Sequence, residues 1–358
     1  MDEKIERLIK WSGGKTMPPF TLDINPTDKC NLRCIHCWQR AFKKIDSNYE
    51  LSDEKLLEIV KEAIKFGVEE FEITGGGEPL MRKELATKIM EMIKEGRNFG
   101  NITTNGSLFN LDDIKKVVKI GWNSITFSLD GPDARTNDSI RGRGAFEQTM
   151  KSIRLLNKVK HELRMELPIL KFNVVVNREN CNKAGEMIEL AKEVNCSTVH
   201  FDSLTVHSKI GKKLKLTKKQ IEEFEKDAKV AERLSKGFGI QSDIKLLTRR
   251  FLEDSNKMGG ILEKESDSKG FSSLVCYEPW WHLVVKTNGT AQPCCLCDEK
   301  EESVKSKSLK EIWFGKYFEE IRKNIKSKRF PEYCSICNAG QVFENRRIRE
   351  ELKSWMKK

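Results

Sequence analysis

Residues 29–39 read Lys-Cys-Asn-Leu-Arg-Cys-Ile-His-Cys-Trp-Gln, which sets Cys30, Cys34 and Cys37 at C-x3-C-x2-C spacing. Thiolates grouped in this way bind soft metals and iron–sulfur clusters. A structural zinc site closes with four ligands, and a disulfide framework pairs its cysteines. Three cysteines would hold a four-iron cluster and leave one iron without a protein ligand. The competing reading is a zinc ion completed by His36 or by a distant cysteine. His36 lies between two of the cysteines and cannot easily turn towards the same metal.

The chain has 11 cysteines, and a second group lies near its C-terminal end. Cys276 and Cys294 are separated by 17 residues that include a predicted hairpin with Asn288-Gly289 as its turn. Gly289 opens a G-x4-C run ending at Cys294, and Cys334 and Cys337 form a C-x2-C. Spacing alone allows either a zinc ribbon or a fully ligated iron–sulfur cluster. Cys181 and Cys196 flank a predicted helix and read as core or surface residues, while Cys295 and Cys297 neighbour a ligand candidate and could compete with it.

The elements that must position these groups alternate. Between residues 20 and 205, strands at 20–27, 69–77, 101–106, 123–131, 167–177 and 197–205 are separated by amphipathic helices. In the first helix Ser52 can cap the start, acids follow in the first turn, and Leu56, Val60, Ala63 and Ile64 make an apolar face closed by Gly67. Alternation of this kind implies parallel strands with right-handed crossovers. Six units over this length fit an α/β fold of the incomplete (β/α)6 barrel type better than a full eight-fold barrel. The chemical-looking residues fall after strands: the triplet after the first, 75–79 after the second, Asn105 after the third, Asp130 after the fourth. Residues 206–270 read as a charged helical linker or lid, with loops at 255–260 and 265–273. The texture then changes to the hairpin, a helix at about 308–327 and a last amphipathic helix.

Composition bounds the rest. In 358 residues, 38% are hydrophobic and 33% charged, a globular balance with a highly charged surface. No apolar run approaches the roughly 18 residues that span a bilayer, and the charged start has no signal-peptide core, so the cytoplasm is the expected location. The net charge of +11 admits an acidic partner, but lysines interleaved with glutamates along helices read as solvated faces. A zinc-bearing, basic nucleic-acid-binding protein is the non-enzymatic alternative; the chain shows no recognition module and little basic–aromatic interleaving.

Taken with its neighbours, the triplet resembles the radical S-adenosylmethionine (radical SAM) superfamily. Cys30, Cys34, His36 and Cys37 match the family's C-x3-C-x-Φ-C, and Gly76, Gly77, Glu78 and Pro79 its Gly-Gly-Glu-Pro motif. Residues 103–106, 128–131 and 141–146 look like the next strand ends, in the family's order. The resemblance implies a [4Fe–4S] cluster that binds SAM and cleaves it reductively to a 5′-deoxyadenosyl radical, which takes a hydrogen atom from substrate. It also implies cofactor contacts: Gly76 and Gly77 at the SAM ammonium, Glu78 and Pro79 fixing that turn, Thr104 and Asn105 at the next strand end, Ser128 and Asp130 towards ribose or methionine groups, Arg141 at the carboxylate, and His36 near the adenine. An electron donor such as flavodoxin or ferredoxin is implied as well.

The C-terminal cysteines and the run Ser-Leu-Lys-Glu-Ile-Trp at 308–313 resemble the SPASM/twitch extension, a small α+β iron–sulfur domain. No cysteine follows Cys337, so the shorter twitch form with one auxiliary [4Fe–4S] cluster on Cys276, Cys294, Cys334 and Cys337 fits better. The expected division is an extension at 1–19, a radical SAM core at 20–205, a linker at 206–270 and the auxiliary domain at 271–358. Fewer than thirty residues precede Cys30, too few for a leader-peptide-binding domain, and this favours oxidation or epimerisation of a small polar or sugar-like substrate over a ribosomal peptide. The ending Trp-Met-Lys-Lys differs from the Gly-Gly usual in molybdenum-cofactor cyclases. One of the four remaining cysteines could return a hydrogen atom to substrate, as thiols do in related epimerases.

Overall fold

The computed structural model describes residues 2–41, 49–206, 209–253, 270–297, 299, 302–337 and 339–356. The loop predicted at 255–260 and most of that at 265–273 lie outside them.

Among the described residues nine strands form one sheet in the order β7-β6-β5-β4-β3-β2-β1-β8-β9, open at both edges. They are β1 (Thr21–Ile24), β2 (Glu70–Ile73), β3 (Phe99–Thr104), β4 (Ser124–Ser128), β5 (Ile169–Val176), β6 (Thr198–Ser203), β7 (Gln241–Ser242), β8 (His282–Val285) and β9 (Ala291–Gln292). The first six are those read from the sequence, and every pairing is parallel except β8 with β9. Helices Asp53–Phe66, Lys83–Glu95, Leu111–Lys119, Ala145–Leu163 and Ala184–Glu193 fall between the strands as the periodicity requires. Ser52 caps the first of them, its hydroxyl accepting the Lys55 N–H.

The strands alternate in burial with period two, clearest in β5 and β6. The outer face supplies Leu22, Ile24, Phe71, Ile73, Ile102, Ile125, Phe127, Leu170, Phe172 and Val199, all buried beneath the helices. Each such side chain contributes on the order of 1.5–3 kcal/mol. The inner face is polar instead: Asp23, Glu72, Asn101, Thr126, Lys171, Asn173 and His200 occupy its positions. Helical packing on one side thus leaves the other free to carry chemistry.

Three features differ from the sequence reading. The C-terminal hairpin does not stand apart: β8 extends the core sheet beside β1, with Leu22 opposite Leu283 and Ile24 opposite Val285. The expected extension also folds, as helix Glu3–Ser12, and buried Arg7 bonds the Pro19 and Gly67 carbonyls at 2.9 and 2.8 Å. The single helix expected at 308–327 is two, Leu309–Trp313 and Lys316–Lys326, with Gly315 between them. Trp313 donates its indole N–H to the Met17 carbonyl at 2.8 Å, tying this region to the N-terminal segment. Among the described residues no helix is long and apolar enough to cross a membrane.

Gly100 on β3 sets a packing limit. A Cβ there would lie 2.1 Å from the ring of fully buried Trp122. Gly100→Ala is expected to cost at least about 1–3 kcal/mol through overpacking; thermal unfolding followed by circular dichroism should show a lower Tm than the parent.

Candidate functional site

One cavity of about 350 Å³ opens at the C-terminal ends of the strands. Cys30, Cys34, His36 and Cys37 line one side, 74–78 another, and Thr104, Asn105, Ser128 and Arg141 close it from β3, β4 and the helix beyond. The structure therefore gathers eleven of the thirteen residues that the family motifs single out. Pro79 and Asp130 are not in the lining.

The loop carrying the triplet is held from below by the glycine turn. The Gly77 and Glu78 N–H groups donate to the Thr27 and Lys29 carbonyls, both at 2.8 Å. The two segments approach so closely that a Cβ on Gly76 would sit 1.7 Å from Asp28 Oδ1, and one on Gly77 2.0 Å from the Lys29 carbonyl oxygen. Gln39 closes the loop on itself, its amide donating to the carbonyls of Asp28 at 2.7 Å and Gly76 at 2.6 Å. Asn105 reaches the same loop by donating to Asn31 at 3.0 Å.

Glu78 spends both carboxylate oxygens on the protein. Oε1 accepts the Thr104 hydroxyl at 2.6 Å and the Leu80 N–H at 3.1 Å, and Oε2 the Asn105 N–H at 2.7 Å. Burial pushes its pKa up, while these donors oppose the shift. Glu78 and Thr104 therefore join β2 to β3. Asp130 is likewise internal, against the expectation of a cofactor contact. It is fully buried, its Oδ1 accepts the Val175 N–H at 2.8 Å, and Oδ2 faces Arg141 Nε at 2.8 Å. Burial works against the Arg141 charge, but Asp130 and the nearby thiols outweigh it and hold the guanidinium firmly protonated.

The donor set suits a metal cluster. Burial pushes the Cys30 thiol up to about 11, with Glu78, Cys34 and Cys37 adding to the shift. Cys34 is raised by burial too, and Arg141 pulls it back. Such thiols lose their protons to solvent when a metal cation binds the sulfur in their place. Three buried atoms of the lining residues, His36 Nδ1, Arg141 Nε and Asn173 Oδ1, have no hydrogen-bond partner, and of these Arg141 Nε meets the Asp130 carboxylate as an ion pair; a site shaped for a polar ligand would leave such atoms. Among the described residues no three His, Cys, Asp or Glu side chains converge as a single metal ion requires. Ligands of a cubane each bind a different iron and can stand further apart.

The second group gathers at the base of the hairpin. Burial pushes the Cys276 and Cys294 thiols well up; Cys337 and Cys334 add to the first, and Cys295, Cys276 and Cys297 to the second, so these thiols share one neighbourhood. Cys34–Cys37, Cys294–Cys297 and Cys334–Cys337 repeat one turn, in which the second cysteine's N–H meets the first's carbonyl at 3.2, 3.3 and 3.3 Å. Cys297 is buried against the Tyr317 hydroxyl at 3.4 Å. Cys295 stands beside this group: its Sγ accepts from the Gln341 amide at 3.4 Å, and the oxygen of that amide accepts from Cys337 at 3.7 Å. Cys181 and Cys196 are buried in the core.

Sequence reasoning missed Thr74, Thr103, Asn173, Val175, Asp202, Ser203 and Gln39, all in the cavity lining. Applying the strand-end rule to β5 and β6, as to β1–β4, finds four of them; Gln39 carries no such signal. Gly77→Ala is expected to displace the cysteine loop, so that anaerobic reconstitution incorporates less iron at the triplet than in the parent, measured by iron content in a background lacking Cys334.

Residues 24–191 match the family model of the radical SAM superfamily, and 276–338 that of the SPASM iron–sulfur cluster-binding domain. An AdoMet-dependent heme synthase of Methanosarcina barkeri is 24% identical over 347 residues, 93% of each chain. A probable GTP 3′,8-cyclase of Saccharolobus solfataricus is 32% identical over 188 residues, so this chain spans 58% of that protein's length. Among solved structures, Streptococcus suis SuiB bound to S-adenosylmethionine superposes with a TM-score of 0.67 at 17% identity, covering 94% of this chain and 75% of that one. Native anSMEcpe with bound AdoMet gives 0.63 at 17%, covering 93% and 97%. At these identities the structures speak to the fold. The chain thus carries a radical SAM domain followed by a SPASM-type domain; the first implies a [4Fe–4S] cluster with SAM, and the second auxiliary iron–sulfur clusters.

Proposed function

We propose that Cys30, Cys34 and Cys37 hold the SAM-binding cluster and that the enzyme oxidises a small polar substrate in the cavity above the strand ends. The observation that carries this is the sharing of one cavity by the triplet, the glycine turn, Ser128 and Arg141. When bound, the cluster and SAM supply a 5′-deoxyadenosyl radical that removes a hydrogen atom from substrate. The chain's own part is placement. Gly76 and Gly77 present backbone to the SAM amino group, Arg141 is locked by Asp130 to meet a carboxylate, and His36 flanks the adenine. Glu78, Pro79, Thr104, Asn105 and Asp130 keep these groups in register from behind.

Cys276, Cys294, Cys334 and Cys337 hold one auxiliary cluster in this reading, a sink for the electron left on an oxidised substrate. Flavodoxin or ferredoxin delivers the reducing electron. The lining contributed by β5, β6 and the residues just after β6, namely Asn173, Asp202, Ser203 and Thr205, offers hydrogen-bonding groups to a hydroxyl- or amine-bearing substrate. A second reading rests on the near full-length likeness to the AdoMet-dependent heme synthase and makes the substrate a carboxylated tetrapyrrole.

Anaerobically reconstituted protein should hold about eight irons in two cubanes. Cys34→Ala should abolish 5′-deoxyadenosine formation, whereas Cys334→Ala should lose about half the iron and still cleave SAM. Two zincs without sulfide would defeat the assignment. Deuterated pools of polyols and amino sugars, peptides and coproporphyrins then decide the substrate. Deuterium is expected in 5′-deoxyadenosine from the first pool; transfer from the porphyrin or peptide pool alone would replace the small-substrate reading.

A further inference from the structure

Parallel barrels usually fill their interior with branched aliphatic side chains. Here a file of carboxylates runs down the inner face between two cavities. At the upper end Thr74, part of the cavity lining, donates its hydroxyl to Asp23 Oδ1 at 2.6 Å. Asp23 stands opposite Glu72 in the β1–β2 register, and Thr21 opposite Glu70 one step lower. Glu72 accepts from the Asn101 amide at 2.7 Å, and Glu70 from the Thr21 hydroxyl at 2.9 Å. Glu70 in turn lines a second cavity of about 610 Å³ at the opposite end of the strands, together with Phe20, Arg97 and Phe99. Same-face residues on a strand are about 6.5–7 Å apart, a gap that one bridging water spans.

The electrostatics suit transfer rather than fixed charge. Burial pushes the Glu72 carboxyl up to about 7; Glu70 and Asp23 add to this, while Asn101 and Lys171 oppose it. Glu72 nevertheless keeps some contact with solvent. Asp23 is raised by burial, and His282, Thr74 and Lys286 pull it back. His282 is itself paired with Glu278 at 2.8 Å.

We propose that Asp23, Glu72 and Glu70 conduct a proton from the cavity to the opposite mouth of the barrel, with Thr74 as the gate. The assignment rests on the oxidation reading above. Oxidising a carbinol carbon to a carbonyl removes one hydrogen atom, one electron and the hydroxyl proton. The hydrogen atom leaves as 5′-deoxyadenosine, the electron passes to the auxiliary iron–sulfur cluster, and the O–H bond breaks as its proton enters the file through Thr74 and Asp23. A primary or secondary amine oxidised to an imine balances in the same way.

The test uses the reconstituted full chain. Infrared titration should show a protonated-carboxyl band that fades as pH rises through about 7, shifts in D2O, and is missing from Glu72→Gln. With the substrate found by deuterium transfer, product formed per 5′-deoxyadenosine should rise through the same window, because the accepting carboxylate must be ionised. In Glu72→Gln that ratio should fall at least about tenfold and lose its pH dependence. Thr74→Val should keep the infrared band and show the same loss. Absence of a titrating band, or a Glu72→Gln variant with the parent's pH profile, overturns the proton file while leaving an oxidised product intact. A product of the same mass as the substrate overturns the oxidation reading, and the file with it.

Discussion

The contact on which this site depends is the close approach of the Asp28–Lys29 backbone to the Gly76–Gly77 turn. No side chain fits between them: a Cβ at either glycine would penetrate Asp28 or Lys29. What the turn gives up in side chain it returns as two backbone hydrogen bonds to the segment entering the cysteine loop. Asp28 then extends the contact sideways, with Oδ2 accepting the Thr287 hydroxyl at 2.8 Å and the Tyr49 hydroxyl at 3.1 Å. One aspartate thus joins the cysteine loop, the glycine turn and the C-terminal hairpin. Loops need such ties, since an unbraced loop does not hold reacting groups to the fraction of an ångström that chemistry requires.

The second organising fact is the division of labour between the two faces of the sheet. The outer face pays for folding with aliphatic and aromatic burial against the helices. The inner face can then carry carboxylates, amides and a lysine whose desolvation would otherwise be unaffordable. Most of these polar groups are matched across strands, as Asn101 shows by bonding Glu72, Ser124 and Thr126 at once.

Much of this was legible in the sequence because its signals are local. Ser52 and the apolar stripe of Leu56, Val60 and Ala63 define a helix wherever they occur, and the six alternating units left little choice of topology. The triplet and the glycine turn were legible for a related reason: their spacing is set by the chemistry. The internal contacts of Asp130 were not legible, because Val175, whose N–H its Oδ1 accepts, lies on another strand far along the chain. The place of the hairpin was hidden for the same kind of reason. The pairing of Leu22 with Leu283 joins segments about 260 residues apart, and nothing in either segment names the other. Asn173 and Asp202 could have been found by treating β5 and β6 as the earlier strands were treated.

The insertion of β8 beside β1 has a consequence for electron flow. The loop bearing Cys30, Cys34 and Cys37 leaves the C-terminal end of β1, whereas Cys294 follows β9, which runs antiparallel to β8 back towards that strand's start, so the two cysteine groups lie towards opposite ends of neighbouring strands in one sheet. Tunnelling rates decay steeply with separation, and a hinged auxiliary domain would let that separation wander. Here the span is gauged by backbone hydrogen bonds, which stretch far less than a linker does.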